Sequence, residues 1–352
     1  MKRALVLCPG RGSYTKAQLG SLAGLDADTS AAELSTTLDA VDRRREAAGD
    51  LTVRGMDAAE TFSSRFLQGL NAAPLIFAAT AYERLQLDPA RIEVVAVGGN
   101  SMGWYSALWA AGVLDLAAAF QLIETMGGST RGGTIGGQLI YPAIDGDWRH
   151  DAVRSSAVDA ALGAARTAGL QAGDSIRFGG FRVLWGEDAS LELMTDELPA
   201  CEFERTHYPI RLLGNSAFHS ELMTDVARAG QAALQGLQLT TPRIPLIDGR
   251  GHQWRPLTTE PPELLDYTLG HQVTETFDFR QTVRVALREY APDLVVALGP
   301  GESLGGAIAQ VMIDERWQGI ADRQQFLDRQ RDDPVVISLA RPEQAAHVVR
   351  SP

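Results

Sequence analysis

Short valine- and leucine-rich runs, separated by long alanine-rich stretches with helical periodicity, set the pattern of this chain. Residues 4–8, 92–97, 244–248 and 294–298 are compact apolar runs, as expected of parallel strands covered on both faces. The first of these ends in the turn Pro9-Gly10-Arg11-Gly12-Ser13. From about residue 31 to 87 the pattern is helical, with breaks expected near Gly49-Asp50 and at Gly55 and a stop at Asp88-Pro89. Residues 104–122 form a second helical stretch, broken at Gly112. Strand and helix alternate, which predicts a parallel sheet with helices on both faces.

The middle of the chain changes character. Residues 127–137 are too rich in glycine for a regular element and read as a crossing. Beyond them the pattern gives a strand (138–144), a helix (151–168), two strands (175–178 and 181–185), a short helix (191–198) and a strand (203–213). That β-α-β-β-α-β order is the ferredoxin-like arrangement. The predicted fold is therefore α/β: a large parallel-sheet domain, residues 1–133 and 212–352, with an inserted ferredoxin-like α+β subdomain at 134–211. The tail from about residue 315 holds a charged helix and one apolar strand, 335–337.

Composition narrows the function. Of 352 residues 45% are hydrophobic, enough for a large core, and the formal net charge of -12 argues against nucleic acid or an anionic membrane as partner. The two cysteines, Cys8 and Cys201, lie far apart, so a disulfide framework is not expected and a reducing compartment is favoured. The opening residues read as a first strand, not a signal peptide, and no apolar run is long enough for a membrane span. A cytoplasmic protein is expected. No His, Cys or acidic spacing suggests a metal site.

The chemistry is carried by Gly99-Asn100-Ser101-Met102-Gly103, which follows the 92–97 strand and precedes a helix. This is the strand–turn–helix pattern of a nucleophile elbow, and it makes the large domain α/β-hydrolase-like. The glycines leave room for the sharp turn, which aims Ser101 at the positive end of the following helix. A serine hydroxyl needs a base within hydrogen-bond reach. Of the six histidines, five lie in polar turns, in the subdomain or in the tail. His219 lies in Ala217-Phe218-His219-Ser220, where the chain re-enters the large domain, and is the candidate base.

These strings, with Pro9-Gly10-x-Gly12-Ser13 and Leu298-Gly299-Pro300-Gly301-x-x-Leu304, occur together in one order across roughly residues 1 to 312. In that order they resemble the malonyl-CoA:acyl-carrier-protein transacylase family, which includes the acyltransferase domains of fatty acid and polyketide synthases. The resemblance implies a Ser–His dyad that takes an acyl group from a coenzyme A thioester or acyl-carrier protein and passes it to a carrier-protein thiol, with no bound cofactor. It implies an oxyanion hole from the backbone N–H groups of Met102 and Arg11, each worth about 3–4 kcal/mol. It also implies a histidine oriented by a backbone carbonyl, assigned at this stage to Thr274. The partners so implied are acyl-CoA and acyl carrier protein.

The sequence departs from that family around the acyl group. Malonyl-using members carry an arginine 25 residues after the serine; here that position is Met126. Asn100 stands for the usual histidine before the serine, Ala73 for a glutamine, and Arg11 for the glutamine of the first turn. An unpaired carboxylate in a buried pocket costs about 3–5 kcal/mol, so neutral acyl groups are expected, unless Arg11 or Arg131 replaces the missing cation. A carrier-protein thioester hydrolase using the same dyad is one alternative; a non-catalytic scaffold retaining the fold is another.

Overall fold

The computed structural model describes residues 1–350. In chain order the first strands are β1 (Lys2–Cys8), β2 (Ile92–Gly99), β3 (Gly137–Pro142), β4 (Ala172–Phe178), β5 (Phe181–Gly186), β6 (Cys201–Phe203) and β7 (Thr206–Tyr208). They are followed by β8 (Ile210–Leu212), β9 (Leu246–Ile247), β10 (Gln253–Trp254), β11 (Phe277–Asp278), β12 (Leu294–Ala297) and β13 (Val336–Ser338).

The larger sheet runs β10-β9-β2-β1-β12-β13 and is parallel except at the β9–β10 pair. Its middle strand, β1, is fully buried from Ala4 to Cys8, as its unbroken apolar run requires. The helix Gly69–Gln86 is apolar on nearly every face and is buried over most of its length. It packs against the helix Leu116–Gly127, and this contact brings Ala73 and Met126 together.

The smaller sheet runs β11-β4-β5-β3-β8. Within it, β4-β5-β3-β8 with the helices Ala152–Thr167 and Asp188–Glu197 make the ferredoxin-like arrangement. Alternation along the strands separates its two faces. Leu139, Tyr141 and Leu184 point into a second core with those helices, while Ile140, Ile176 and Val183 pack toward the main core. The edge strand β11 arrives from far along the chain and pairs with β4 in parallel.

Several elements differ from their predicted form, each for a local reason. The break expected at Gly55 falls inside a short helix, Val53–Asp57, because the Thr52 hydroxyl accepts the Gly55 N–H and caps it. The irregular stretch lies at residues 58–68 instead. The single strand expected over 203–213 is divided: Glu204 and Arg205 take positive φ (48° and 65°) and turn the chain into the β6–β7 hairpin before β8 begins. The tail helix starts only at Arg323, where Asp322 caps it. Among the described residues no helix is long and apolar enough to cross a membrane.

The elbow has no slack. A Cβ on Gly99 would lie 2.1 Å from the Gly103 oxygen, and one on Gly103 would lie 2.2 Å from the Cys8 oxygen, both backbone atoms that cannot swing aside. Gly103→Ala is therefore expected to destabilise the protein by about 1–3 kcal/mol, read as a lower midpoint in urea unfolding followed by circular dichroism; an unchanged midpoint would show that the elbow can relax.

Candidate active site

Two strained residues face each other at the C-terminal edge of the larger sheet. Ser101 stands between β2 and the helix Gly103–Ala110 with φ of 53°, and His219 has φ of 61°. Such left-handed conformations cost of order 1–3 kcal/mol each for side-chain-bearing residues and persist only where the surroundings enforce them. Here Ser101 Oγ lies 2.7 Å from His219 Nε2. The other ring nitrogen, Nδ1, lies 2.6 Å from the carbonyl oxygen of Gln272. A carbonyl can only accept, so Nδ1 carries the proton and Nε2 offers its lone pair to the serine hydroxyl.

The orienting carbonyl is that of Gln272, not the Thr274 assigned from sequence. The π-turn Tyr267–His271 feeds directly into the one-turn helix Gln272–Thr274, so Gln272 is the residue facing the ring. The next carbonyl, Val273, accepts the His219 backbone N–H at 2.8 Å, and the Thr274 hydroxyl turns back to Gly270. Gln272 was missed in a loop otherwise singled out, and its side chain matters too. Its Nε2–H donates to the Ser101 carbonyl at 3.1 Å and its Oε1 accepts from the Tyr105 hydroxyl at 3.0 Å. One buried residue thus touches both members of the dyad.

Around the dyad lies a cavity of about 40 Å³ lined by Ala73, Met102, Tyr105, Met126 and Phe218, with Arg11 at its wall. Ala73 and Met126, both singled out in the sequence, line it together. Tyr105 and Phe218 also line it, Tyr105 from within the buried core. Trp104 does not border the cavity: it is fully buried and its indole N–H donates to Thr268 Oγ1. The backbone N–H groups of Arg11 and Met102 have no acceptor among the described residues, which leaves both free to meet an oxyanion.

The remaining candidates separate. Arg131 is exposed and paired with Asp50 at 2.8 Å, on the rim of a neighbouring hollow of about 480 Å³, away from the serine. Asn100 faces a groove of about 190 Å³ between the two sheets, not the smaller cavity, and its Oδ1 is buried without a partner. Arg11 lines both spaces. Its Nη2 donates to the Gly214 carbonyl and to Asn215 Oδ1, and no acid pairs with it among the described residues. Burial lowers its pKa from the ordinary arginine value, the signature of a cation short of a counter-charge.

An elbow serine within hydrogen-bond reach of a neutral histidine, with no acid on the ring among the described residues, lies between a mainly parallel sheet and a ferredoxin-like module. The fold as a whole is that of malonyl-CoA:acyl-carrier-protein transacylases and polyketide synthase acyltransferase domains. The solved transacylase of Synechocystis superposes with a TM-score of 0.69 at 22% identity, covering 89% of this chain and 95% of that one. FabD from Acinetobacter baumannii gives 0.72 at 20% identity, covering 98% and 96%. A malonyl-transacylase solved with its type II polyketide acyl-carrier protein gives 0.66 at 20% identity, covering 88% and 93%. At these identities the likeness is one of fold. No protein-family model matches the chain, and no curated protein sequence matches it.

The imidazole's environment fixes a pH dependence. Burial pushes the His219 pKa down from 6.5 to about 4, against the smaller opposing pull of the Gln272 carbonyl. The ring is thus neutral, and able to accept a proton, at all pH values well above 4. Modification of Ser101 by a serine-directed reagent should be flat from about pH 8 to 5 and fall at lower pH, with its midpoint near 4 rather than 6.5. Stability follows the same sign: the unfolded chain binds a proton below 6.5 that the folded chain refuses, so this group's contribution is lost as pH falls from 6.5 toward 4.

Proposed function

We propose that the protein is an acyltransferase that moves a short acyl group from an acyl thioester, through an ester on Ser101, to the phosphopantetheine thiol of a carrier protein. The observation that carries this reading is the 2.7 Å contact between Ser101 Oγ and a neutral His219 Nε2 beside a small, largely apolar cavity. His219 takes the serine proton as Oγ attacks the thioester carbonyl. The backbone N–H groups of Met102 and Arg11 hold the oxyanion at the head of the helix Gly103–Ala110. Collapse expels the thiol, which leaves with the proton from Nε2. The carrier thiol then attacks the acyl-serine, giving its proton to His219 and receiving the acyl group as Oγ is reprotonated. The groove lined by Gly12, Asn100, Ile176 and Phe178 opens beside the serine and suits an extended pantetheine arm. On the proposed division into a large domain (1–133 and 212–352) and a subdomain (134–211), residues of both line that groove.

The size and charge of the cavity bear on the acyl group. A space of about 40 Å³ holds roughly three or four water-sized groups, which suits a two- to four-carbon acyl chain. Met126 on its own favours neutral chains, as the sequence suggests. Arg11 changes the balance, because its unpaired guanidinium lines the same cavity and can take a free carboxylate. The reading is therefore of a transferase without strict malonyl specificity, with Arg11 rather than Arg131 as the cation near the acyl end.

Two measurements test this. Incubation with acyl-CoA should add one acyl mass to the intact protein at Ser101, none to Ser101→Ala, and holo-carrier protein should then remove it as acyl-carrier protein. Free acid accumulating instead would make the protein a thioester hydrolase, and no adduct at all would leave a scaffold. Arg11→Leu should slow loading of malonyl-CoA on the order of a hundredfold, the cost of leaving a buried carboxylate unpaired, while acetyl-CoA loading changes by only a few-fold. Equal losses for both donors would remove Arg11 from acyl recognition.

A further inference from the structure

A chain of side-chain hydrogen bonds crosses between the two sheets and ends one residue before the base. Arg11 Nη2 donates to Asn215 Oδ1 at 2.8 Å, and Asn215 Nδ2 donates to Gln138 Oε1 at 3.2 Å. Gln138 Nε2 donates to Ser175 Oγ at 2.7 Å, and the Ser175 hydroxyl donates to the Phe218 carbonyl at 2.8 Å. The last link fixes the sense of the rest. A carbonyl must accept, so Ser175 donates there and accepts from the Gln138 amide, whose oxygen is then left for Asn215. Every donor points from the guanidinium toward the carbonyl, and aligned bonds of this kind polarise one another.

The burial of this chain asks for a reason. Gln138 is 4% exposed and Ser175 is fully buried, on β3 and β4 of the smaller sheet. Polar groups in such places are costly unless every one is paired, and apolar residues would fill the space at lower risk. What the chain secures is the peptide between Phe218 and His219. Its carbonyl is held by Ser175, and its N–H is held by the Val273 carbonyl at 2.8 Å. A peptide plane gripped at both ends cannot rotate, and its orientation sets the φ of 61° at His219. The Gln272 carbonyl then aligns the ring.

We infer that Gln138 and Ser175 are positioning residues of the reaction, holding His219 in its strained conformation through the Phe218 carbonyl and linking it to the guanidinium beside the acyl cavity. The ferredoxin-like module thereby supplies part of the base's support as well as a wall of the groove. The inference rests on the Ser101–His219 chemistry proposed above.

The test is a double-mutant cycle on single-turnover acylation of Ser101 by acetyl-CoA, followed by intact mass. Ser175→Ala should slow acylation on the order of tenfold, the scale of one lost buried hydrogen bond, with the half-saturating acetyl-CoA concentration unchanged. Ser175→Thr, which returns the hydroxyl, should restore most of the rate. In a His219→Ala background, Ser175→Ala should have no further effect, because the residue acts through the base. Gln138→Met should behave like Ser175→Ala and serves if that variant does not fold. The inference is overturned if both variants acylate at the wild-type rate. Equal slowing with and without His219, or a change only in the half-saturating concentration, also overturns it. A wild-type protein that is never acylated at Ser101 strikes the proposed chemistry itself and this inference with it.

Discussion

The hydrogen bond from His219 Nδ1 to the Gln272 carbonyl is the constraint on which the site depends. A fully enclosed imidazole could be held by a carboxylate, as in triads, but that would bury an anion against the ring, with no cation paired to it among the described residues. A carbonyl fixes the tautomer and the ring plane without adding net charge. The cost is a weaker base, its pKa held at about 4 by burial. The gain is a neutral site in which the only full charge near the acyl cavity is positive. Gln272 further ties the two halves of the dyad, since its amide holds the Ser101 carbonyl and the Tyr105 hydroxyl while its backbone holds the histidine. The serine with its elbow helix, the imidazole and Gln272 are therefore one hydrogen-bonded unit, drawn from three segments far apart in sequence.

What could be read from the chain follows from how local each feature is. The elbow depends on five adjacent residues, and those residues carry the turn in their glycines. The buried strands were legible because a parallel strand covered on both faces has to be apolar throughout. The histidine was found from its neighbours and its place after the subdomain. The orienting carbonyl was missed by two residues because a π-turn changes the register of a helix without any mark in the local pattern. Any residue supplies the same backbone oxygen, so identity gives no clue to which one faces the ring.

The arginines show the same limit for side chains. Arg11 and Arg131 were both candidates to replace the missing cation, each lying in a glycine-rich stretch. Their fates differ because Asp50 claims Arg131 at the surface, whereas Gly214 and Asn215 hold Arg11 inward without neutralising it. Both sets of partners lie more than 80 residues away. Short elements were likewise invisible. The two-residue strand β11 has no periodicity to detect, and the β6–β7 hairpin turns on two residues, Glu204 and Arg205, that are not glycine and carry no turn signal.

The β11 strand has a mechanical meaning. Phe277 and Asp278 pair with Ile176 and Arg177, one strand position beyond Ser175, and the Phe277 ring packs 5.4 Å from the His219 imidazole. The chain that carries the base's support is thus stitched into the edge of the smaller sheet. Swinging that sheet away like a jaw would tear this seam and pull on the base at the same moment. The geometry therefore makes the groove between the sheets a slot of fixed width rather than a mouth that opens. In the proposed transfer such a slot admits one thioester arm at a time, so the order of events would be imposed by the shape of the doorway.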